Sequence, residues 1–351
     1  MSNLQLWLAI AGGLVLVIVV AHSSWTSRKN QPRQAQNLVS SEEFEALNGA
    51  MPPLEPQLSD DTDLSNADTL GELSLAPKQA NLDALIDVIA TLELDAPVSG
   101  DAAISYTPST LRVGNKLLII EALDAQNGEW ESIKAGMRYS AFQVGVQLAN
   151  RMGPLNEIEF SEFVVKTQTF AEELGTTPEF PDMLEVVTHA RELDQFASAH
   201  DAQLSFTIKA TQTAWSPGYV QQHAARLGFV PGLMPGRMVI ASPTAGLPPV
   251  LGLTFDTRAA LSDDPSQSAI RSITLSLDVP QVPREQQPFE NLCKIALELA
   301  KIMDGQISDD RGQYLRPEAM QGINADLQIL YDALDKRDLS AGSPQARRLF
   351  S

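Results

Sequence analysis

Few residues of this 351-residue chain have the types and spacing that catalysis needs. The four histidines, His22, His189, His200 and His223, are well separated, and His189 and His223 fall in helical patterns that favour a packed or half-exposed side chain. Asp309-Asp310-Arg311-Gly312 could supply paired carboxylates, but between two short strands this order is typical of a hairpin turn. The sequence contains no phosphate-binding glycine loop, paired metal-ligand spacing or nucleophile elbow. We therefore predict a protein that is not an enzyme and that uses no cofactor and no metal.

The single cysteine and the net charge restrict the compartment and the partners. Cys293 cannot form an intrachain disulfide, which fits a reducing compartment. It falls in a helical pattern, so we predict a small buried apolar residue and not a nucleophile. The net charge of −19 would repel nucleic acid and anionic lipid. We expect no nucleic acid and no small-molecule substrate, and membrane attachment would have to come from an apolar segment.

Such a segment lies at the N-terminus. Residues 4–21 contain no charge, and eleven of the eighteen are Leu, Ile or Val. At about 1.5 Å per residue, a helix of this length just spans a hydrocarbon core of roughly 30 Å. We predict a transmembrane helix, with anchor positions that include Leu4, Leu6, Trp7, Leu14 and Val20.

The charges that flank this run predict its orientation. No basic residue precedes it, whereas Arg28, Lys29 and Arg33 follow it. Positive charge stays in the cytoplasm, so the short N-terminus should lie outside and the remaining chain inside. A cleaved signal peptide is the alternative, but it requires basic residues before the apolar run and a small-residue cleavage site after it.

The rest of the chain divides by composition and pattern. We predict a membrane anchor with its basic flank over residues 1–29 and a disordered acidic linker over 30–79, where no apolar period persists. An α+β module should cover 80–200, a second α+β domain 201–337, and a tail 338–351.

The second domain has the clearer pattern. Its elements follow as strand, helix, three strands, helix, hairpin and helix, which predicts an antiparallel sheet with the helices gathered on one face. Ile273, Leu275 and Leu277 alternate with Thr274 and Ser276, so the sheet face away from the helices should be polar and open.

A succession of short segments in this domain resembles a known family. In matching order over about residues 202–335, they resemble the C-terminal FtsZ-binding domain of the bacterial division protein ZipA. The segments are Gly228-Phe229-Val230-Pro231-Gly232-Leu233-Met234, Asp278-Val279-Pro280, Phe289-Glu290-Asn291-Leu292, Asp309 to Leu315 and Pro317-Glu318. The N-terminal anchor with an outside N-terminus matches this family as well.

The resemblance implies a function and a site. It implies a bitopic inner-membrane adaptor with a periplasmic N-terminus and a cytoplasmic C-terminal domain. At the division septum this adaptor would bind the C-terminal tail of the tubulin-like FtsZ and tether its polymer to the membrane. The implied partner-binding positions on the open sheet face are Ser205, Thr207, Met234, Gly236, Met238, Thr254, Thr274 and Ser276.

These positions are more polar than the family pattern, because only Met234 is a plain apolar anchor, with Met238 nearby. Three explanations stay open: weak binding through the same face, a shifted face, or an alignment that is one residue out of phase. Two other functions also stay open. One is a membrane-anchored scaffold for another division or envelope protein, and the other is an enzyme, which would require a deep polar pocket.

The 80–200 module has a weak internal likeness to the second domain. Ala190-Arg191-Glu192-Leu193 resembles Ala296-Leu297-Glu298-Leu299. The module is either a degenerate copy of the same fold or a chance likeness between two amphipathic helices.

Overall fold

The computed structural model describes residues 33–34, 82–261, 268–309 and 312–351. The predicted anchor, including Arg28 and Lys29, and nearly all of the predicted linker lie outside these residues. Within the described part of the chain, no helix is both long and apolar enough to cross a membrane.

The described residues belong to two compact units. One contains residues 205–277 and 290–320 together with Arg33 and Gln34, and we call it the open-sheet unit. The other contains residues 82–204, 278–289 and 321–351, and we call it the closed-sheet unit. The division therefore differs from the predicted domains, because parts of 201–337 and all of the predicted tail are counted with the first module.

The closed-sheet unit is built around a five-stranded antiparallel sheet with strand order β1-β5-β3-β2 and with β4 paired to β3. Its first elements are β1 (Asp87–Ser99), α1 (Gly100–Tyr106), β2 (Arg112–Val113), β3 (Lys116–Asp124), β4 (Trp130–Glu131) and β5 (Arg138–Gln147). There follow β6 (Ala149–Asn150), β7 (Gly153–Pro154), α2 (Glu157–Leu174) and α3 (Met183–His200).

Local sequence explains why α2 forms. Asn156 and Glu159 make a capping box, in which each side chain satisfies a backbone N–H of the first turn. Gly175 ends the helix at φ 73°, a conformation that favours glycine. The phenylalanines at helical spacing are buried, and Phe170 meets Phe142 of β5 edge to face.

The open-sheet unit contains a six-stranded sheet with order β13-β8-β12-β11-β10-β9. Its elements are β8 (Gln203–Ala210), α4 (Pro217–Arg226), β9 (Val230–Pro231), β10 (Arg237–Ile240), β11 (Leu251–Phe255), α5 (Thr257–Ala260), β12 (Ser272–Asp278), α6 (Pro288–Met303) and β13 (Gly305–Ser308). The ladders of β13 with β8, β12 with β11, β11 with β10 and β10 with β9 are antiparallel. The predicted α+β class is confirmed.

The core of this unit lies on one side of the sheet. Helix α4 begins with Pro217 in its first turn, and the Ser216 hydroxyl accepts a hydrogen bond from the Tyr219 N–H at 3.2 Å. The core is formed by one row from each strand and by the inner sides of α4 and α6. Its buried residues include Phe206, Ile208, Val220, Ala224, Met238, Leu253, Leu275, Leu292 and Leu299.

The two sheets share a strand order. In each, the first strand pairs with the last long strand before the long helix (β1 with β5, and β8 with β12). That strand pairs on its other side with an earlier strand, which is β3 in the closed-sheet unit and β11 in the open-sheet unit. In each, a helix follows the first strand and a longer helix follows the last. The degenerate copy of the fold stays a prediction.

The C-terminal residues are structured. Helix α7 spans Pro317–Asp335, and its residues 321–335 are counted with the closed-sheet unit. Helix α8 (Pro344–Leu349) follows it, and Leu349 and Phe350 are buried. The predicted tail is therefore an integral part of the closed-sheet unit.

Candidate functional site: an open sheet face

The candidate site is the face of the six-stranded sheet opposite the core. Directly paired residues of antiparallel strands lie on the same face. Thr254 pairs with both Thr274 and Arg237, and the Thr274 hydroxyl lies 3.4 Å from that of Thr207. Ser308 pairs with Thr207 at the far edge. A row of hydroxyls thus crosses the sheet.

A second row runs beside the first and is more apolar. Gly252 pairs with Ser276 and Val239, and Val239 pairs with Val230 of the edge strand β9. Val239 is half-buried, and Val230 is 48% exposed. A Cβ at Gly252 would lie 2.6 Å from the Ser276 hydroxyl, so this hydroxyl already occupies the space that a side chain at position 252 would take.

Five of the predicted site residues lie on this face. Ser205, Thr207, Thr274 and Ser276 are half-buried, and Thr254 is exposed. Core residues alternate with these positions along the strands. An alignment shifted by one residue would turn Leu204, Phe206 and Ile208 toward the open face, but Phe206 and Ile208 are buried in the core.

Met238 corrects the prediction. It is 3% exposed and pairs with the fully buried Leu253, so it belongs to the core and not to the open face. Met234 and Met238 do not share a face, because Gly236 has φ 76°, which breaks the extended backbone before β10 begins at Arg237. Gly236 is itself buried, and its carbonyl accepts a hydrogen bond from the Phe255 N–H at 2.9 Å.

Met234 lies in the turn between β9 and β10 and is 62% exposed. Its neighbour Leu233 is fully exposed, and Val230 and Val239 complete an apolar cluster at the β9 edge of the sheet. We call these four residues the edge patch. Of these four, only Met234 was among the predicted site residues. Val230 and Val239 join the patch through the pairing of β9 with β10, which the sequence alone does not give.

Positive charge accompanies the open face, although the chain as a whole is acidic. Arg237 pairs with Thr254 beside the edge patch, and Lys209 pairs with Gln306 at the opposite end of the sheet. Both side chains are exposed. A ligand with apolar side chains and one or two carboxylates would match this surface.

The residues that could have carried chemistry have structural roles. Asp309 accepts a hydrogen bond from the Gln313 N–H through its side chain at 2.7 Å, and its backbone N–H donates to the Gln313 carbonyl at 2.9 Å, so the predicted turn is confirmed. His223 is buried against Tyr219, with 4.4 Å between ring centroids, and burial lowers its pKa. Burial and the nearby Glu290 raise the pKa of Cys293 to about 11, which keeps this half-buried thiol protonated.

A polar cavity of about 240 Å³ lies in the closed-sheet unit, where Arg151 and Asp201 form part of its wall. Arg151 donates hydrogen bonds to both Asp201 and Asp278, at 2.6 to 2.9 Å. The guanidinium is thus held between two carboxylates, an arrangement that joins segments of the unit. In the described part of the chain, no group of three or more His, Cys, Asp or Glu side chains is placed to hold a metal ion.

Among the described residues, this antiparallel sheet has one packed face, one polar face and an apolar edge, a combination that suits the binding of an extended peptide. The family model for the C-terminal FtsZ-binding domain of ZipA matches residues 261–326. The resemblance predicted from the sequence is confirmed, and the chain is ZipA-like over this segment. That family is one of protein-binding domains and not of enzymes. The chain matches no curated protein.

Proposed function

We propose that this protein is a membrane-anchored adaptor that binds the C-terminal tail of FtsZ on the open face of the six-stranded sheet. The observation that carries this proposal is the uncovered face with its edge patch, in a chain whose residues 261–326 match the FtsZ-binding family. A short peptide would place apolar side chains on Met234, Leu233 and Val239, and a few such anchors supply most of the binding energy.

The hydroxyl row determines how the rest of such a peptide is held. The row can form hydrogen bonds through Thr207, Thr254 and Thr274, but it offers little apolar area. Burial of apolar area stabilises a complex by about 25 cal/mol per Å². Binding therefore concentrates at the β9 edge, with Arg237 available to a peptide carboxylate. This arrangement favours one of the explanations left open by the sequence, namely that the apolar part of the site is shifted toward the edge.

The direct test is a titration of a fluorescent peptide from the host FtsZ C-terminus with the full-length protein in detergent. A saturable rise in fluorescence anisotropy, absent for a scrambled peptide of the same composition, supports the proposal. An unchanged anisotropy at high micromolar protein contradicts it.

The membrane part of the proposal rests on residues 4–21 and on their basic flank. The N-terminus lies in the periplasm and both units lie in the cytoplasm, at the inner membrane of the division site. A reporter fused to the C-terminus should be cytoplasmic. Moving the positive charges of Arg28 and Lys29 to positions 2 and 3 should disturb this topology. A reporter that stays fully cytoplasmic after that change contradicts the charge argument.

A second candidate function is a membrane-anchored scaffold for another division or envelope protein, favoured by the polar character of the hydroxyl row. Crosslinking in cells followed by mass spectrometry separates the two candidates. Recovery of FtsZ supports the adaptor, whereas repeated recovery of a different partner without FtsZ supports the scaffold.

A further inference from the structure

Arg33 is held by the open-sheet unit, although it lies only twelve residues beyond Ala21, the end of the predicted anchor. Its backbone N–H donates to the Ala214 carbonyl at 2.7 Å, and its carbonyl accepts from the Ser216 N–H at 2.8 Å. These two bonds make a parallel bridge between Arg33 and Trp215. The backbone at Arg33 therefore joins the unit in the manner of a short added strand.

The side chain of Arg33 makes two further bonds. Nη1 donates to the Met303 carbonyl at 3.0 Å, and Nη2 donates to Asp304 Oδ2 at 3.0 Å. The Met303 carbonyl lies at the C-terminus of α6, where the helix dipole favours a positive charge. The same carbonyl accepts from Nε1 of the fully buried Trp215 at 2.9 Å, so the acceptor is fixed in position.

This geometry suits arginine in particular. The planar guanidinium offers two parallel donors to two acceptors, a carbonyl and a carboxylate, whereas a lysine ammonium is a point charge. Four hydrogen bonds to one residue, two from the backbone and two from the side chain, define a docking site for the segment that contains Arg33.

We propose that Arg33 fastens the segment following the membrane anchor onto the open-sheet unit, so that residues 22–32 alone form the tether between the bilayer and the binding face. This inference rests on the proposed function in one respect, the anchor at residues 4–21. Eleven extended residues span at most about 40 Å, whereas the sixty residues 22–81 could span about 200 Å. The acidic segment from 35 to 81 then does not set the height of the binding face above the membrane.

The sharpest test is a matched pair of insertions in the full-length protein. One variant receives twenty Gly/Ser residues between Ser24 and Trp25, and the other receives the same insertion between Ala50 and Met51. If Arg33 is docked, only the first insertion lengthens the tether, from a root-mean-square span of about 18 Å to about 31 Å. If residues 30–79 act as one linker, both insertions change the height by similar amounts.

The height can be measured by energy transfer in lipid nanodiscs. A donor dye is placed at Gln221→Cys, an exposed position of α4, in a Cys293→Ser background, and acceptor dyes are placed on the lipid headgroups. Neutral phosphatidylcholine discs remove any contribution from lipid charge. We expect the transfer efficiency to fall for the insertion after Ser24 and to stay at the parental value for the insertion after Ala50. Equal changes for the two insertions overturn the proposal.

Point variants test the docking contact itself. Arg33→Ala should lower the transfer efficiency, whereas Arg226→Ala removes the same charge from an exposed position of α4 and should leave the efficiency unchanged. Thermal unfolding of both variants, followed by circular dichroism, shows whether the unit remains folded. An Arg33→Ala protein that is folded and has parental transfer efficiency contradicts the docking.

The measurement also separates this inference from the proposed function. A protein that does not remain with the nanodiscs lacks the anchor, which overturns both the tether and the membrane part of the adaptor. Binding of the FtsZ tail is measured on the same discs, so absence of binding with the predicted insertion pattern rejects the FtsZ proposal and leaves the docking intact.

Discussion

The sheets of the two units have a similar strand order, but they differ in what covers the face away from their helices. In the closed-sheet unit, the chain itself covers the face away from the helices. The carboxylate of Asp87 in β1 accepts hydrogen bonds from both Nη1 and Nη2 of Arg348, and Nη1 lies 2.8 Å from Oδ2. The side-chain amide of Gln147 in β5 donates a hydrogen bond to the Arg348 carbonyl at 2.5 Å. The Leu82 side chain lies against Gly145 of the same face.

In the open-sheet unit, the corresponding face carries hydroxyls that remain half-buried or exposed, such as Thr254 and Thr274. The comparison shows two ways to use such a sheet. Its outer face can be covered by another segment of the same chain, or it can be available to a partner protein. In the closed-sheet unit, the occupant is the C-terminal segment of the same polypeptide. In the open-sheet unit, we propose that the occupant is the C-terminal segment of another protein.

The largest expected effect is the loss of the ion pair that closes the first face. Arg348→Leu leaves the fully buried Asp87 carboxylate without its cation, which should cost about 3–5 kcal/mol of unfolding free energy in the closed-sheet unit. Urea unfolding of the parent and the variant measures this change in unfolding free energy. Arg191→Leu, which breaks an exposed pair with Glu157, is the matched control and should cost less than about 1 kcal/mol. Similar costs for the two variants would show that the C-terminal segment does not close this face.

The second prediction compares the two sides of the open sheet at two methionines. Met238→Ala removes a core side chain and should cost about 2–5 kcal/mol. Met234→Ala removes an exposed side chain and should change stability by no more than about 0.5 kcal/mol. Urea unfolding of both variants checks the assignment. A larger loss of unfolding free energy for Met234→Ala than for Met238→Ala would contradict the assignment of the core and open faces.

The third prediction concerns the close approach of Gly252 and Ser276 in the second row of the open face. In Gly252→Ala the new methyl group would lie 2.6 Å from the Ser276 hydroxyl and would displace it within this row, which should weaken FtsZ-tail binding about tenfold, or about 1.4 kcal/mol. Gly322→Ala serves as the control, because a Cβ there meets no atom within 4 Å and should only favour helix α7. Unchanged affinity in a folded Gly252→Ala protein would remove this row from the site.

The smallest expected effect is a pH dependence of the unfolding free energy of the closed-sheet unit. Burial raises the pKa of Glu121, although the Leu82 N–H and the Gln143 amide donate to it. The folded protein therefore binds a proton more tightly than the unfolded chain at this site. Stability should fall as pH rises above the usual glutamate range. Glu121→Gln should flatten this fall in the unfolding free energy between pH 4 and pH 7.

Glu131→Gln provides a control of opposite sign for this prediction. A hydrogen bond from Lys134 lowers the pKa of Glu131, so its contribution to stability is present at neutral pH and is lost on acidification. Replacement of Glu131 should therefore make the fall in stability with rising pH steeper. The same slope in both variants would contradict the assignment of these two groups.

Much of this fold could be predicted from the sequence because its strong signals are local. The alternation of Ile273, Leu275 and Leu277 with Thr274 and Ser276 identified the two faces of β12, and Ser216-Pro217 identified the start of α4. These features depend on neighbouring residues alone.

The parts of the site that the sequence did not predict depend on nonlocal pairing or on one backbone angle. The inward orientation of Met238 follows from the positive φ of Gly236, and Val239 joins the site only because β10 lies between β9 and β11. Likewise, the role of Arg348 follows from its contact with Asp87, which lies 261 positions earlier in the chain. Hydrophobic periodicity carries no information about such contacts.

The central claim is that the edge patch of the open sheet binds the FtsZ tail, and one titration tests it most directly. The full-length protein, Met234→Asp and Leu297→Asp are each titrated against the fluorescent tail peptide. Leu297 is 46% exposed on the opposite side of the unit, on α6, and gives the matched control for a new surface carboxylate. We expect Met234→Asp to weaken binding at least about tenfold while Leu297→Asp binds as the parent does. Equal affinities for the two variants, or no binding by the parent, would contradict the account.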